Sequence, residues 1–412
     1  MWPKYKIGEI ATVNYGYTAK ASFDADGPKF LRITDIQDGA VNWEDVPSCP
    51  ISEKDHARHK LFSGDIVFAR TGATTGKSFL IGDLPEAVAA SYLIRLRIKR
   101  EDVLPAFIAK CFHTKTYWDE VNAGMSGSAQ GGFNASKLSD LKVSLPPLDE
   151  QKRIVAILDQ AFEGIDKAIA NTEKNLKNAH ELFDSYLNNI FTQKGEGWVE
   201  DKLINITSKI GSGATPKGGA ASYKDSGISL IRSLNVHDRR FRQEKLALID
   251  NEQAKKLNNV TVQSGDVLFN ITGASVARCC IVPEAFLPAR VNQHVSILRP
   301  RAGDISTSFL CYLMTSRPYK DQLLGIGEEG GSTRQAITKA QLQELSVSFP
   351  QCLDQQKDIV KSLAETEAMA LSLETLQREK IGALKELKQS LLQKAFSGEL
   401  TGATAQEAMR VA

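Results

Sequence analysis

Residues 149–191, DEQKRIVAILDQAFEGIDKAIANTEKNLKNAHELFDSYLNNIF, decide the architecture. Apolar or small residues recur at Ile154, Leu158, Ala161, Ile165, Ala168, Thr172, Leu176, Ala179, Phe183, Tyr186 and Ile190. Steps of three and four sustained over about six heptads predict a coiled-coil seam, not a short surface helix. At 1.5 Å per residue the helix is roughly 60 Å long. The pattern returns over 354–396, at Ile359, Leu363, Thr366, Ala370, Leu373 and Leu376, then in a slightly shifted phase at Ile381, Leu384, Leu387, Leu391 and Ala395. Two matching stripes are expected to pack as an antiparallel pair. Small residues at Ala168, Ala170, Ala179, Ala364, Ala368 and Ala370 permit close approach or docking of a partner. Asp149 and Asp354 are placed as helix N-caps, with Gly195 and Gly398 as terminators.

The rest of the chain repeats as well. Ser63-Gly64-Asp65-Ile66-Val67-Phe68 returns 201 residues later as Ser264-Gly265-Asp266-Val267-Leu268-Phe269. Arg32, within FLRITDI, corresponds to Arg232 within LIRSLNV, and LSDLKVSLPPLDEQK ending at Lys152 corresponds to LQELSVSFPQCLDQQK ending at Lys357. The expected organisation is a mixed, β-rich domain at 1–148, a helix at 149–192, a second domain at 196–352, a second helix at 353–397 and a tail at 398–412. Short β-rich runs at Ile66–Ala69 and Val267–Asn270 follow Ser-Gly-Asp turns, and 93–98 alternates apolar and basic residues. Helical spacing covers 108–121 and 308–324, bounded by Pro105, Gly124 and Gly325. The fold class is α+β: two pseudo-symmetric β-rich domains separated by two long antiparallel coiled-coil helices.

Length and composition bound the function. A chain of 412 residues exceeds one ordinary core. With 42% hydrophobic and 24% charged residues it reads as globular and not disordered. No apolar run reaches the ~20 residues of a membrane span, and Met-Trp-Pro-Lys does not begin a signal peptide, so a cytoplasmic location is expected. Six cysteines without CxxC spacing point to neither a disulfide framework nor a zinc site. Net charge is only +2, so a nucleic-acid footprint must be local.

Two diverged domains on long helices can read two different half-sites of duplex DNA, with the helices acting as a ruler. At this point the residues resemble the specificity (S) subunits of Type I restriction-modification systems, over nearly the whole chain. The resemblance rests on the Ser-Gly-Asp-hydrophobic-Phe element, followed by Arg70-Thr71-Gly72 in one half and Ile271-Thr272-Gly273 in the other. It rests also on Leu145-Pro146-Pro147-Leu148-Asp149-Glu150-Gln151, and on residues 391–400, LLQKAFSGEL. The first half departs from that ending with Phe191-Thr192-Gln193-Lys194, and Asp354-Gln355-Gln356 replaces Asp-Glu-Gln. What the resemblance implies is a non-catalytic adaptor with two target-recognition domains for a split, asymmetric sequence in double-stranded DNA. It implies as partners two modification subunits, which methylate adenine from S-adenosylmethionine, and restriction subunits, which use ATP and Mg. No cofactor is expected on this chain, and no adenine-methylation motif such as Asn-Pro-Pro-Tyr is present.

Candidate DNA contacts follow from residue chemistry. In the first half Arg32, Thr34, Arg70, Thr71, Thr74 and Lys77 lie in or beside polar turns, and Arg70 suits a bidentate contact to guanine or phosphate. In the second, Arg232, Ser233, Asn235, Arg240, Asn270, Thr272, Ser275 and Arg278 occupy comparable places, with Asn270 suited to adenine. His237-Asp238-Arg239-Arg240-Phe241-Arg242 is the strongest local basic patch. Gly-rich segments contribute Ser128, Gln130, Ser332, Thr333, Arg334 and Gln335. Each has a plainer reading as a connecting turn, an internal salt bridge or a solvated loop. Residues 72–78, GATTGKS, miss the phosphate-binding P-loop spacing by one residue. His56 and His59 lack a third metal ligand nearby. The principal alternative is a coiled-coil interaction scaffold whose two β-rich domains bind proteins.

Overall fold

The computed structural model describes residues 2–37, 39–125, 133–325 and 336–401. The chain forms two compact units, 1–173 with 379–412, and 174–378. Both long helices, Leu148–Gln193 and Leu353–Ser397, contribute a segment to each unit.

In the first unit Ala11–Tyr15, Leu93–Ile98, Ile66–Ala69 and Ser78–Leu80 form an antiparallel sheet in that spatial order. Ile66–Ala69 is buried at every position, which is why it reads IVFA without polar alternation. Side chains still alternate between faces. Ile66 and Phe68 pack with Phe107, Ile108 and Phe112, and with Ile154, Leu158, Phe162, Leu392 and Ala395 of the long helices. Val67 joins Leu31, Leu61, Ile81 and Ala89 in a second cluster. Lys29–Leu31 pairs in parallel with Ala87–Ala89, and Lys4–Lys6 pairs with Lys142–Ser144.

The second unit repeats the arrangement. Thr207–Ser212, Val295–Pro300, Val267–Asn270 and Cys279–Ile281 form the equivalent antiparallel sheet. Val267 and Phe269 pack with Phe309, Leu313, Phe183, Leu187, Phe191 and Leu363. Leu268 joins Leu230, Ile231 and Val291 in a second cluster, built on a four-stranded sheet. His180 Nδ1 lies 2.7 Å from Glu374 Oε1, and the Tyr186 hydroxyl 2.6 Å from Ser362 Oγ. As numbering rises on one helix it falls on the other, so the two segments run antiparallel.

Two repeated motifs prove to be internal struts. Asp65, 1% exposed, accepts both Nε and Nη2 of Arg97 at 2.7 Å and the Phe62 amide at 2.9 Å. Asp266 does the same for Arg299 and the Gln263 amide. Gln151 is fully buried; its Oε1 accepts the Leu104 amide, and its Nε2 donates to the carbonyls of Asp102 and Pro146, all at 2.8 Å. Gln356 makes the matching set with Ser306, Asp304 and Pro350. Each glutamine fastens the start of a long helix to the domain before it.

Several sequence expectations need correction. The helices begin at Leu148 and Leu353, so Asp149 and Asp354 lie inside the first turn and not at the cap. Lys194, with φ 50°, takes the left-handed position after the first helix, whereas Gly398 takes it after the second with φ 86°. Gly195 is required for another reason: a Cβ there would lie 2.9 Å from Trp198 Nε1. The helical stretches near 108–121 and 308–324 are each broken in two, Pro105–Cys111 with Lys115–Met125, and Thr307–Thr315 with Arg317–Leu324. Leu373, Leu376 and Leu387 are exposed, and of the small residues proposed for close approach only Ala179 and Ala370 are buried. The buried positions of the helices follow where each domain core covers them, so the seam is not uniform.

Candidate nucleic-acid interface

In the first unit a 3₁₀ turn, Gly72–Thr74, leaves strand Ile66–Ala69 and leads into Ser78–Leu80. Gly72 opens it with φ 79° and Gly76 closes it with φ 92°. A Cβ at Gly76 would meet the Trp118 ring at 2.8 Å, so both conformation and space require glycine. The Thr75 hydroxyl donates to the Gly72 carbonyl at 2.7 Å, and the Tyr117 hydroxyl to the Gly76 carbonyl at 2.7 Å. This strand–turn–strand lacks the helix N-terminus that a P-loop needs.

Arg70 stands at the entrance of the turn with its guanidinium carbon 5.0 Å from the centre of the Tyr15 ring. Its Nε has no acceptor among the described residues. Tyr15 and Tyr92 beside it are exposed, and the Arg70 amide donates to the Tyr92 carbonyl at 3.2 Å. Thr34, Thr74 and Lys77 line one cleft of about 240 Å³, and Thr71 is exposed. Arg32 departs from expectation. Its guanidinium grips Asp35, with Nη2 2.6 Å from Oδ1, and this ion pair raises its pKa. The structural salt bridge is therefore present, and Arg32 is not a free cation.

The second unit varies these themes. Asn235 stands where Asp35 stood, and its Oδ1 accepts the Arg232 amide at 3.1 Å. Arg232 thus has no carboxylate partner among the described residues; it stacks 5.1 Å from the Tyr223 ring centre and donates to the Lys245 carbonyl. Asn235 itself is fully buried and donates to the Arg242 carbonyl at 2.8 Å. Asn270 is fully buried too, its amide donating to the Ser233 carbonyl at 2.9 Å and to Ser275 Oγ at 3.1 Å. Asn235 and Asn270 are therefore corrected from base-contact candidates to struts holding the Arg232 and Thr272 turns. The second turn carries Ile271 in place of Arg70 and Arg278 in place of Lys77, 201 residues on in each case. Thr272 Oγ1 lies 2.6 Å from His294 Nδ1, and His294 Nε2 3.1 Å from Gln293 Nε2.

A cleft of about 1530 Å³ in this unit is lined by His237, Arg240, Arg242, Arg278, Arg317 and Lys320, and by carboxylates including Asp184, Glu367 and Glu374. Burial, then Arg242 and Arg278, lower the His237 pKa. Ser128, Gln130, Ser332, Thr333, Arg334 and Gln335 lie outside the described residues. The sequence reading missed Tyr15, Tyr92, Tyr223, Gln293 and His294. Tyr92, Gln293 and His294 directly precede strands Leu93–Ile98 and Val295–Pro300, whereas Tyr15 closes the mixed strand Ala11–Tyr15 and Tyr223 lies outside any strand, so no single sequence pattern marks all five. Among the described residues no group of three His, Cys, Asp or Glu could hold a metal ion. No described helix is long and apolar enough to cross a membrane.

The geometry defines a class: a chain with two copies of one mixed domain, each carrying cationic, aromatic-flanked turns at the ends of its sheet. The family model for the Type I restriction modification DNA specificity domain matches it twice, over residues 1–178 and 196–383. The chain belongs to that family. It is 24% identical over 422 residues to the putative type I restriction enzyme MjaX specificity subunit of Methanocaldococcus jannaschii, covering 95% of this chain and 92% of that one. It is also 24% identical over 429 residues to the EcoBI specificity subunit of Escherichia coli, covering 97% and 86%. Among solved structures, a chain from a study of complex assembly and conformational transition of the type I R-M system matches with a TM-score of 0.78, at 21% identity over 97% of this chain and 98% of that one. The HsdS subunit from Thermoanaerobacter tengcongensis matches at 0.60, with 20% identity and 97% of both chains covered. These two likenesses concern the fold.

Proposed function

We propose that this chain is the DNA specificity subunit of a Type I restriction-modification complex, reading a bipartite, asymmetric target in the cytoplasm. The observation that carries the reading is one scaffold with two sets of exposed side chains. Arg70 and Lys77 frame the first turn, Ile271 and Arg278 the second, and an arginine paired to Asp35 becomes one that stacks on Tyr223 and meets Asn235 in place of a carboxylate. Such substitution on a constant backbone supports reading two different half-sites. Family membership favours this over the interaction-scaffold alternative. The chain acts by positioning and is non-catalytic. Two modification subunits supply adenine methylation from S-adenosylmethionine, and restriction subunits supply ATP- and Mg-dependent translocation and cleavage. Of the candidate residues, Arg70, Lys77, Arg232, Arg240 and Arg278 are assigned to DNA contact, with Thr34, Thr71, Thr74, Ser233, Thr272 and Ser275 beside them. Arg70→Ala and Arg232→Ala, assayed by binding of the reconstituted complex to its target, are expected to weaken affinity by about tenfold each. Unchanged affinity and unchanged target choice in both variants would remove the assignment.

A further inference from the structure

The hairpin Val236–His237/Arg240–Phe241 bears the basic patch of the second unit, and its tip is built against local preference. The equivalent hairpin of the first unit, Ile36–Gln37/Ala40–Val41, has Gly39 just before its second strand, and glycine is favoured at that position of a two-residue turn. Gly39 has φ 75°, with nothing within 4 Å of an added Cβ. The second hairpin turns through Asp238-Arg239, and Arg239 holds φ 60°, a conformation that disfavours a side chain.

What offsets the strain is a buried contact to the helices. Arg239 Nε donates to Glu367 Oε1 at 2.7 Å, and the two side chains are only 19% and 20% exposed. The guanidinium carbon lies 4.6 Å from the centre of the Phe183 ring, and Glu367 Oε2 accepts the Tyr312 hydroxyl at 2.9 Å. Beside it Asp238 accepts Lys320 Nζ at 2.5 Å. Both long helices, through Phe183 and Glu367, and the short helix Arg317–Leu324, through Lys320, therefore grip the hairpin tip.

Among the described residues the first unit shows no equivalent grip. Counting from the matched struts, Glu367 lies eleven residues after Gln356, as Phe162 does after Gln151, and Tyr312 lies six after Ser306, as Lys110 does after Leu104. There the Phe162 ring is flanked by Lys110 and Lys388, at 5.0 and 4.6 Å, and these cations come from the helices and not from the hairpin.

We propose that Arg239 is a positioning residue, and that its ion pair with Glu367 seats the basic hairpin of the second unit on the helical pair so that this half-site alone is read with fixed geometry. The proposal rests on the DNA-reading function above. The test uses the full chain with its modification subunit, in cells whose genome is sequenced for adenine methylation. Arg239→Gly restores the glycine turn of the first unit and removes only the clamp. Because an unpaired buried Glu367 is costly, R239G/E367Q is measured beside it, and R239K as the conservative rescue. Methylation at sites carrying one mismatch in one half-site is expected to rise about tenfold in R239G and in the double variant. The other half-site stays strict, and R239K returns to the parental pattern. Equal relaxation of both half-sites, no relaxation, or total loss of methylation in both glycine variants would overturn the proposal. A parental chain yielding no split motif would instead refute the underlying function.

Discussion

Arg32 and Arg232 begin the same kind of 3₁₀ turn and differ in what the third residue onward offers them. Asp35 satisfies one guanidinium, whereas Asn235 accepts only a backbone amide and leaves the other charge uncompensated. Asn235→Ala is expected to cost about 1–3 kcal/mol of stability in denaturant titration, because it orphans buried backbone groups. The salt dependence of DNA binding should stay as it was. Arg232→Ala should do the reverse, flattening the dependence by roughly one counterion with little change in unfolding. Histidines give a pH prediction. Burial is the leading cause that lowers the pKa of His59, His113 and His237 below 6.5, helped at His113 by Lys110 and Lys388. A lowered folded pKa means that the unfolded chain binds more protons just below pH 6.5. Stability is therefore full above that pH and declines as pH falls toward the folded values. Thermal melting between pH 7.5 and 5.5 should show the decline, and His113→Asn should reduce its slope.

At the scale of elements, much of the fold was legible because periodicity reports burial. The repeated Ser-Gly-Asp element and the long helices stood out, since an internal copy of a strand or helix survives as pattern. Less legible was why particular residues recur. Gln151 and Gln356 look like surface residues of a helix start, yet each closes three hydrogen bonds in the interior. Asn270 looks like a base reader because its amide suits adenine, and only three-dimensional proximity to Ser233 and Ser275 shows its amide nitrogen to be occupied and the side chain buried. Leu373, Leu376 and Leu387 fit the stripe but stay exposed, because periodicity fixes a face without saying what covers it. Gln356→Ala should destabilise the chain by about 3 kcal/mol in denaturant unfolding, through the buried groups left unpaired. Inserting one heptad into both long helices should change the gap between half-sites and leave their bases unaltered. Altered bases at a constant gap would argue against the helical ruler.

For the whole molecule, duplication followed by divergence links sequence to function. Two copies of a domain retain the Asp–Arg and Gln struts, while the residues at the turn change from Arg70 and Lys77 to Ile271 and Arg278. Exchanging residues 196–352 for the equivalent domain of a relative should therefore replace one half-site and leave the other. The most direct measurement is methylome sequencing of DNA from cells carrying this chain with its cognate modification subunit. The account predicts one split, asymmetric motif with adenine methylated on both strands. A continuous motif, or none in the presence of an active modification subunit, would contradict it.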